Sequence, residues 1–334
     1  MALKTNNPFY VPNNTPQIQL EDYLLSAGDL SLSEIAGQSE AIAEIASIVD
    51  MIISPEIYKI WGVTLPKGIL LTGPSGVGKT ACVRALAKEL ADHALFMEIR
   101  YVDIASKWVD QPIEQLRGLF NMAEAQSKHQ TVIIFIDEID VMLPERTNMA
   151  HESSIKRTNV FLEWMSGGFK STENIILIGA TNKPENIDEA AKRAGRFDKI
   201  IEFNKLNKDA LAQAFLVHFK KRDLSKELYT NIDFETIGAL AEKNNLCGAD
   251  VVEIINRVLV NKVNEHKKKI KSLTPNIKYS ILRDKRHFPE PISTYDFLTV
   301  LSEYIKVKRT EVISNNKQPI GFQHGDNYES ETIE

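Results

Sequence analysis

The chain has little of what marks several large classes of protein. Only two of its 334 residues are cysteine, Cys82 and Cys247, and neither belongs to a CxxC pair. A disulfide framework or a zinc site is therefore not expected. No apolar run reaches the roughly 18 residues that a membrane-spanning helix needs, and the first residues lack the apolar segment of a signal peptide. We expect a cytoplasmic protein without a membrane span.

An excess of basic residues is also missing. The formal net charge is -5, whereas domains that bind nucleic acid usually carry a basic excess. A basic stretch does occur at 266–271, but charge runs near helix ends usually form solvated faces. This composition disfavours nucleic acid as a partner. A motor or loader that acts on nucleic acid stays an alternative, which salt-dependent affinity for DNA or RNA would reveal.

Apolar runs divide the chain into four segments. Residues 1–30 are polar and contain three prolines, which predicts an arm outside the packed domains. Over residues 31–206, near-continuous apolar strands alternate with helix-length segments, the pattern of a parallel sheet covered on both faces. Amphipathic helices over residues 207–308 predict a small all-α lid domain. Residues 309–334 are polar and acidic without periodicity, which predicts a disordered tail.

The predicted fold class is α/β, a parallel sheet flanked by helices and followed by the helical lid. Its predicted strands are 68–72, 94–99, 131–136, 174–179 and 200–203. The predicted helices of the lid are 209–220, 234–242, 248–266 and 294–306. We see no internal repeat.

A glycine-rich run lies between the first predicted strand and a predicted helix at 81–90. Such a loop points its backbone N–H groups at phosphates, and the helix N-terminus adds partial positive charge. In this pattern the lysine neutralises the β- and γ-phosphate oxygens, and the hydroxyl of the last residue binds Mg²⁺. The run fits G-x-x-x-x-G-K-[ST] and predicts an ATP site rather than an incidental turn: Gly73, Pro74, Ser75, Gly76, Val77, Gly78, Lys79 and Thr80.

Two carboxylates follow the third predicted strand. Asp137 would hold the magnesium through its water shell, and Glu138 would orient and deprotonate the attacking water. Such a pair could instead cap a strand in solvent. Because it accompanies a phosphate loop, and because a glutamate follows the aspartate, we expect hydrolysis rather than nucleotide binding alone.

From about Leu30 to Lys308 the sequence resembles the AAA family of ATPases, which includes katanin, spastin, the membrane-bound AAA proteases and the proteasomal ATPases. The run at 33–37, with Ala36, resembles the segment that wraps the adenine. The run at 178–182 looks like the first sensor of the family, which implies that Asn182 helps to hold the attacking water. The resemblance implies the P-loop NTPase fold of this family.

The run from 182 to 198 is similar to the second region of homology of the family. Its two matching arginines are Arg193 and Arg196, which in relatives reach the nucleotide of the adjacent subunit. An arginine pair taken alone would more often be a surface salt bridge. The resemblance implies a homo-oligomeric ring, hexameric in the family, in which each subunit completes the site of its neighbour.

Three further motifs are assigned by the resemblance. Gly248 and Ala249 belong to a Gly-Ala-Asp turn that lies beside the adenine in relatives. His218 stands where relatives place a histidine beside the ribose, although a lone histidine on a helix is more often without a role. The run at 107–112 resembles the loop that contacts substrate in the central pore, with Asp110 in place of the usual glycine. A buried tryptophan is the alternative for this loop, whose expected substrate contacts are Lys107, Trp108 and Val109.

A second departure from the family lies at 165–169, where Met-Ser-Gly-Gly-Phe replaces the usual Met-Asp-Gly-Phe run. The leading hypothesis is a ring ATPase that remodels, unfolds or disassembles a protein client, with an adaptor and a client that the sequence does not identify. The alternatives are the nucleic-acid motor and a scaffold that binds ATP with little turnover. A fused protease is not expected, because no H-E-x-x-H motif occurs.

Overall fold

A five-stranded parallel sheet forms the centre of the first part of the chain in the computed structural model. The structure describes residues 19–100, 112–145, 152–168, 174–273 and 288–315. The strand order is β2-β3-β4-β1-β5, and all four neighbouring pairs are parallel. The strands are β1 Gly68–Thr72, β2 Ala94–Glu98, β3 Thr131–Ile136, β4 Ile175–Thr181 and β5 Lys199–Glu202.

Both faces of the sheet are covered, which explains why its strands have near-continuous apolar runs. Alternate side chains of β1 enter different cores: Ile69 and Leu71 pack on one face and Leu70 on the other. The helices that supply these layers are α1 Ser39–Ile53, α3 Lys79–Glu89, α4 Pro112–Ser127, α5 Ile139–Met142 and α6 Glu152–Glu163, while α2 Pro55–Ile60 follows α1 and buries no residue.

The second part of the chain is helical and has a separate core. Phe215 and Phe219 of its first helix meet Phe297 of its last helix at ring centroid distances of 6.1 and 5.7 Å, the edge-to-face arrangement that aromatic rings prefer. We call these helices the lid; they are α7 Lys208–Lys220, α8 Phe234–Lys243, α9 Gly248–Leu273 and α10 Thr294–Asn315. Within the described ranges, no helix is both long and apolar enough to span a bilayer.

The predicted fold class is confirmed, and two predicted segment bounds are wrong. Residues 19–30 do not form an unpacked arm: the Leu25 N–H donates to the carbonyl of Phe96 at 3.0 Å, and Tyr23 is buried. The three prolines that suggest an arm all precede this short apolar segment, so they carry no information about residues 19–30.

The other wrong bound is that of the acidic tail. Helix α10 continues to Asn315, past the predicted start of a disordered tail at residue 309. Helix α9 is also longer than predicted, and α3 begins at Lys79 rather than at residue 81.

Truncation of Phe120 tests the packing of α4 on the sheet. Its ring is fully buried and stacks on Trp164 at a centroid distance of 4.0 Å. We expect Phe120→Ala to lower the free energy of unfolding by about 3–5 kcal/mol, as for other large-to-small changes in a core. Denaturant unfolding measures this change. Asn121→Ala, at an exposed position of the same helix, is the control and should change stability by less than about 0.5 kcal/mol; equal losses would contradict the packing described.

Candidate functional site

The glycine-rich loop leaves the carboxyl end of β1, which lies between β4 and β5 in the sheet, and enters α3 directly. Its N–H groups therefore lie at a helix N-terminus, where four backbone donors have no acceptor within the helix. A cleft of about 370 Å³ opens above this loop, between the sheet and the lid. Its lining includes Glu34, Ile35, Ala36, Ser75, Gly76, Val77, Gly78, Lys79, Thr80, Asp137, Glu138, Asn182, His218, Gly248 and Ala249.

Lys79 is held at the floor of this cleft by three acceptors. Its Nζ donates to the carbonyls of Gly73 and Pro74 at 2.6 and 2.7 Å, and to Oδ1 of Asn182 at 2.7 Å. Burial lowers the pKa of Lys79, while the charge of Asp137 acts in the opposite direction. The loop carbonyls and the end of β4 thus fix a buried ammonium group where phosphate oxygens would bind.

Thr80 and Asp137 meet across the cleft. The Thr80 hydroxyl donates to Oδ2 of Asp137 at 2.7 Å, and the other carboxylate oxygen accepts from the Glu138 N–H at 3.0 Å. Glu138 itself has a positive φ of 51°. A left-handed glutamate is uncommon, and such residues concentrate at functional sites. This turn directs the exposed Glu138 carboxylate to the cleft.

The lid closes the cleft by touching the loop itself. The Gly248 N–H, at the start of α9, donates to the carbonyl of Gly76 at 2.8 Å. Gly76 has φ +74°, and a Cβ placed there would lie 2.4 Å from Sγ of Cys247. Gly248 is required by close approach of the two backbones, since a Cβ there would lie 2.8 Å from the Gly76 carbonyl oxygen, and Gly76 is required by its positive φ and by the Cys247 side chain. Ala249 continues the wall of the cleft from the lid side.

His218 lines the cleft from α7 and is half-buried. Burial, with the nearby charges of Arg222 and Lys221, lowers its pKa. Opposite it, a backbone hydrogen bond from Ser31 and an ion pair with Lys221 at 2.9 Å lower the pKa of Glu34 to about 2. The imidazole and the carboxylate both line the cleft.

Sequence reasoning missed Gln38, which joins three parts of the site. Its side chain is buried, with Nε2 donating to the carbonyls of Val77 and Asn204 at 3.3 and 2.7 Å. Its Oε1 accepts from the Asn204 N–H at 3.0 Å. Gln38 thus connects the segment before α1, the loop and the chain between β5 and the lid. No periodicity identifies a glutamine as buried, so only the tertiary contacts reveal it.

The two predicted arginines lie away from this cleft. Arg193 and Arg196 line a separate groove of about 520 Å³. Arg196 donates to Oγ of Ser166 at 2.9 Å and to the carbonyl of Ala190 at 2.6 Å, whereas Arg193 is exposed. Ser166 stands where the resembling family has aspartate, and here it orients the Arg196 side chain. Neither arginine belongs to the lining of the cleft in its own chain.

The structure therefore brings together most of the predicted nucleotide residues. The residues at 36, 75–80, 137, 138, 182, 218, 248 and 249 line one cleft, and Gly73 and Pro74 contribute carbonyls to Lys79. The predicted pore-loop residues 107–109 lie outside the described part of the chain.

Comparison with known proteins agrees with this geometry. Residues 69–205 match the family described as "ATPase family associated with various cellular activities (AAA)". A proteasome-activating nucleotidase of Methanococcus maripaludis strain C7 is 32% identical over 246 residues, which are 73% of this chain and 58% of that protein. A probable 26S proteasome regulatory subunit 10B of Caenorhabditis elegans is 34% identical over 218 residues, 64% of this chain and 52% of that protein.

A more extended match is also found. A proteasome-activating nucleotidase of Methanothermobacter thermautotrophicus is 30% identical over 300 residues, 89% of this chain and 64% of that protein. The matches with these three relatives thus span 52% to 64% of their lengths.

Replacement of Gln38 tests its part in the site. Gln38→Met keeps the approximate side-chain volume but removes the amide, so the backbone groups of Val77 and Asn204 lose their hydrogen bonds to it. We expect the free energy of unfolding to fall by about 1–3 kcal/mol for each buried group left unpaired, as measured by denaturant titration. Glu40→Met, at an exposed position two residues on, is the control. A stability of Gln38→Met equal to that of the control would contradict the account.

Proposed function

We propose that the chain, whose residues 69–205 match the AAA family of ATPases, hydrolyses ATP in the cleft between the glycine-rich loop and the lid. The observation that carries this proposal is the convergence of four side chains on one point of the cleft. Lys79 contacts Asn182, and Thr80 contacts Asp137, each at 2.7 Å. A lysine, a hydroxyl, a carboxylate and an amide in this arrangement are the groups that phosphoryl transfer requires.

Thr80 and Asp137 also fit a magnesium site. Both present hard oxygen atoms, and Mg²⁺ in phosphoryl-transfer enzymes binds to one or two such protein groups together with substrate phosphates and water. When bound, the ion neutralises charge that develops on the phosphate oxygens. The chain's own part is to hold the hydroxyl and the carboxylate at hydrogen-bond distance.

The remaining roles follow from position. Glu138 is exposed to the cleft and carries a carboxylate that can accept a proton from the attacking water. Asn182 is fixed by its bond to Lys79, so its amide can orient the same water. Backbone N–H groups at the start of α3 and the Lys79 ammonium group stabilise the transferring phosphate.

We further propose that a second copy of the chain supplies Arg193 and Arg196. Both arginines line a groove other than the cleft, so their action on phosphate requires the site of a neighbour. Asp198 fixes the loop that carries them: it accepts from the Gly195 N–H at 2.6 Å and from the Lys67 N–H at 3.0 Å. Because this loop is already ordered in a single copy, it can bind a different surface of the next copy. Such head-to-tail contacts form a closed ring when the rotation between successive copies is a whole fraction of a turn.

An apolar surface lies beside this loop. Ile60 and Trp61 are 81% and 82% exposed, and Ile57 is 59% exposed. Residues of the same segment and of the arginine loop line a common groove, among them Val63 and Gly195. Exposed apolar patches of this kind mark interaction surfaces. We propose that the neighbouring copy packs on this surface, because the Lys67–Asp198 contact fixes the position of the surface relative to the two arginines.

The proposed work is remodelling of a protein client. The relatives are named proteasome-activating nucleotidase and probable 26S proteasome regulatory subunit, and a proteasome degrades proteins. We propose that this chain likewise forms a homo-oligomeric ring, hexameric as in the family it resembles, and that the ring acts on protein. The residues at 107–109 remain the proposed contact with the client, and the segments 31–206 and 207–308 the proposed motor and lid domains.

Two substitutions separate binding from turnover. Lys79→Ala removes the buried ammonium group that contacts ground-state phosphates, so we expect loss of ATP binding. Glu138→Gln keeps the shape of the site but removes the base, so we expect ATP binding near the wild-type affinity with turnover lowered about a hundredfold or more. Calorimetric titration and a phosphate-release assay measure the two effects. Wild-type turnover by the Glu138→Gln protein would refute the assignment of the base.

Mixing two inactive variants tests whether Arg193 and Arg196 act on the nucleotide of a neighbouring copy. The double variant Arg193→Ala/Arg196→Ala should lose about a thousandfold or more in turnover, as for other arginine fingers. Addition of the Lys79→Ala protein should restore part of this turnover, because its intact arginines can enter the variant's sites. A triple variant that lacks Lys79 and both arginines is the matched control and should restore nothing. Equal effects of the two additions would contradict the proposal.

The apolar surface is tested in the same assay. Trp61→Ser in both partners should abolish the rescue.

A further inference from the structure

The amino end of α9 is held from two sides. On the side of the cleft, the Gly248 N–H donates to the Gly76 carbonyl at 2.8 Å, and Cys247 packs against Gly76. On the opposite side lies Asp250, a carboxylate that is 6% exposed. Asp250 accepts from the N–H of Cys247 at 2.8 Å, so its position and that of the turn at the loop are coupled.

Two residues of α10 determine where Asp250 can lie. Lys308 donates to its two carboxylate oxygens at 2.7 and 2.6 Å, and the Tyr304 hydroxyl donates to Oδ1 at 2.7 Å. The two donors are four residues apart and therefore share one face of the helix. The guanidinium of Arg257 lies over the Tyr304 ring at 4.9 Å. We call Asp250, Tyr304 and Lys308 the latch.

The charges facing the latch explain why the carboxylate remains ionised. Burial opposes the charge of Asp250, but hydrogen bonds from Lys308, Cys247 and Tyr304 outweigh it and keep the pKa below its usual value. The N-terminus of α9 adds partial positive charge at the same place. A buried carboxylate with this many donors has a defined position.

A second ion pair joins the same two helices elsewhere and provides a comparison. Lys262 of α9 contacts Asp296 of α10 at 2.8 Å, and its side chain is 12% exposed. This pair lies at the start of α10, whereas Tyr304 and Lys308 lie from the middle of the helix onward. Neither residue of this pair lines the cleft or contacts the turn at Gly248. Both pairs hold α9 against α10, but only the latch is connected to the glycine-rich loop.

We propose that Tyr304 and Lys308 are positioning residues for the nucleotide: through Asp250 they hold the Cys247–Gly248 turn against the glycine-rich loop and thereby set the affinity of the cleft for ATP and ADP. This inference rests on the proposed function. The groups proposed for the chemical step, Glu138 and Asn182, lie on the α/β part of the chain and do not touch the latch. Loss of the latch therefore weakens nucleotide binding more than it slows turnover at saturating ATP.

The test compares Lys308→Met with Lys262→Met in the full chain. Each substitution removes one lysine from an α9–α10 ion pair, so both should lower the melting temperature. ADP affinity, measured by calorimetric titration, should fall about tenfold in Lys308→Met, within the range usual for coupling between linked elements, and should stay within about twofold of wild type in Lys262→Met. The KM for ATP should rise in parallel for Lys308→Met while kcat stays within about twofold of wild type.

Tyr304→Phe removes a single hydroxyl and covers the case in which Lys308→Met does not fold. It should weaken ADP binding in the same direction by a smaller factor, with the melting temperature nearly unchanged. Wild-type ADP affinity in a folded latch variant, or equal losses of affinity in Lys308→Met and Lys262→Met, would overturn the inference. Failure of the wild-type protein to bind ADP would instead overturn the proposed function, so the two failures are distinguishable.

Discussion

The contact between the glycine-rich loop and the first turn of α9 is the constraint on which the rest of the site depends. A hydrogen bond from the Gly248 N–H to the Gly76 carbonyl joins the first turn of α9 to the loop at this contact. It forms because neither residue has a side chain that would separate the two backbones. The cleft exists because the loop extends from β1 on one side of this contact, while α7 and the segment before α1 enclose the other.

This arrangement divides the proposed chemistry among elements of different rigidity. Lys79, Thr80, Asp137 and Asn182 lie at the ends of buried strands or at the start of a helix, where backbone hydrogen bonds fix them. The lid contributes Gly248, Ala249 and His218 to the wall of the cleft. A site built in this way fixes the reacting groups on the α/β part of the chain and completes the wall of the cleft from a separate helical part.

The sequence predicted the sheet and the phosphate-binding groups because both depend on local pattern. Buried parallel strands are apolar along their length, and the loop motif specifies a backbone shape between a strand and a helix. The packing of Tyr23 and the burial of Gln38 could not be predicted, since each depends on contacts with residues distant in the sequence. The same is true of the latch, in which Asp250 and Lys308 are 58 residues apart. The motif identified the Gly-Ala-Asp turn, but not the residues that hold its aspartate.

The central claim is that nucleotide binds between the glycine-rich loop and the lid, and the two cysteines allow a direct test. Cys247 packs against Gly76 and is half-buried, whereas Cys82 is fully buried and its pKa is raised by burial to about 12. The measurement is the rate of alkylation of each thiol, followed by mass spectrometry with and without ADP. Cys247 packs on the loop rather than lining the cleft, so ADP protects it by holding the lid against the loop: the account predicts that saturating ADP slows alkylation of Cys247 severalfold or more while Cys82 stays unmodified in both cases. An unchanged rate at Cys247, under conditions where ADP binding is verified by titration, would contradict it.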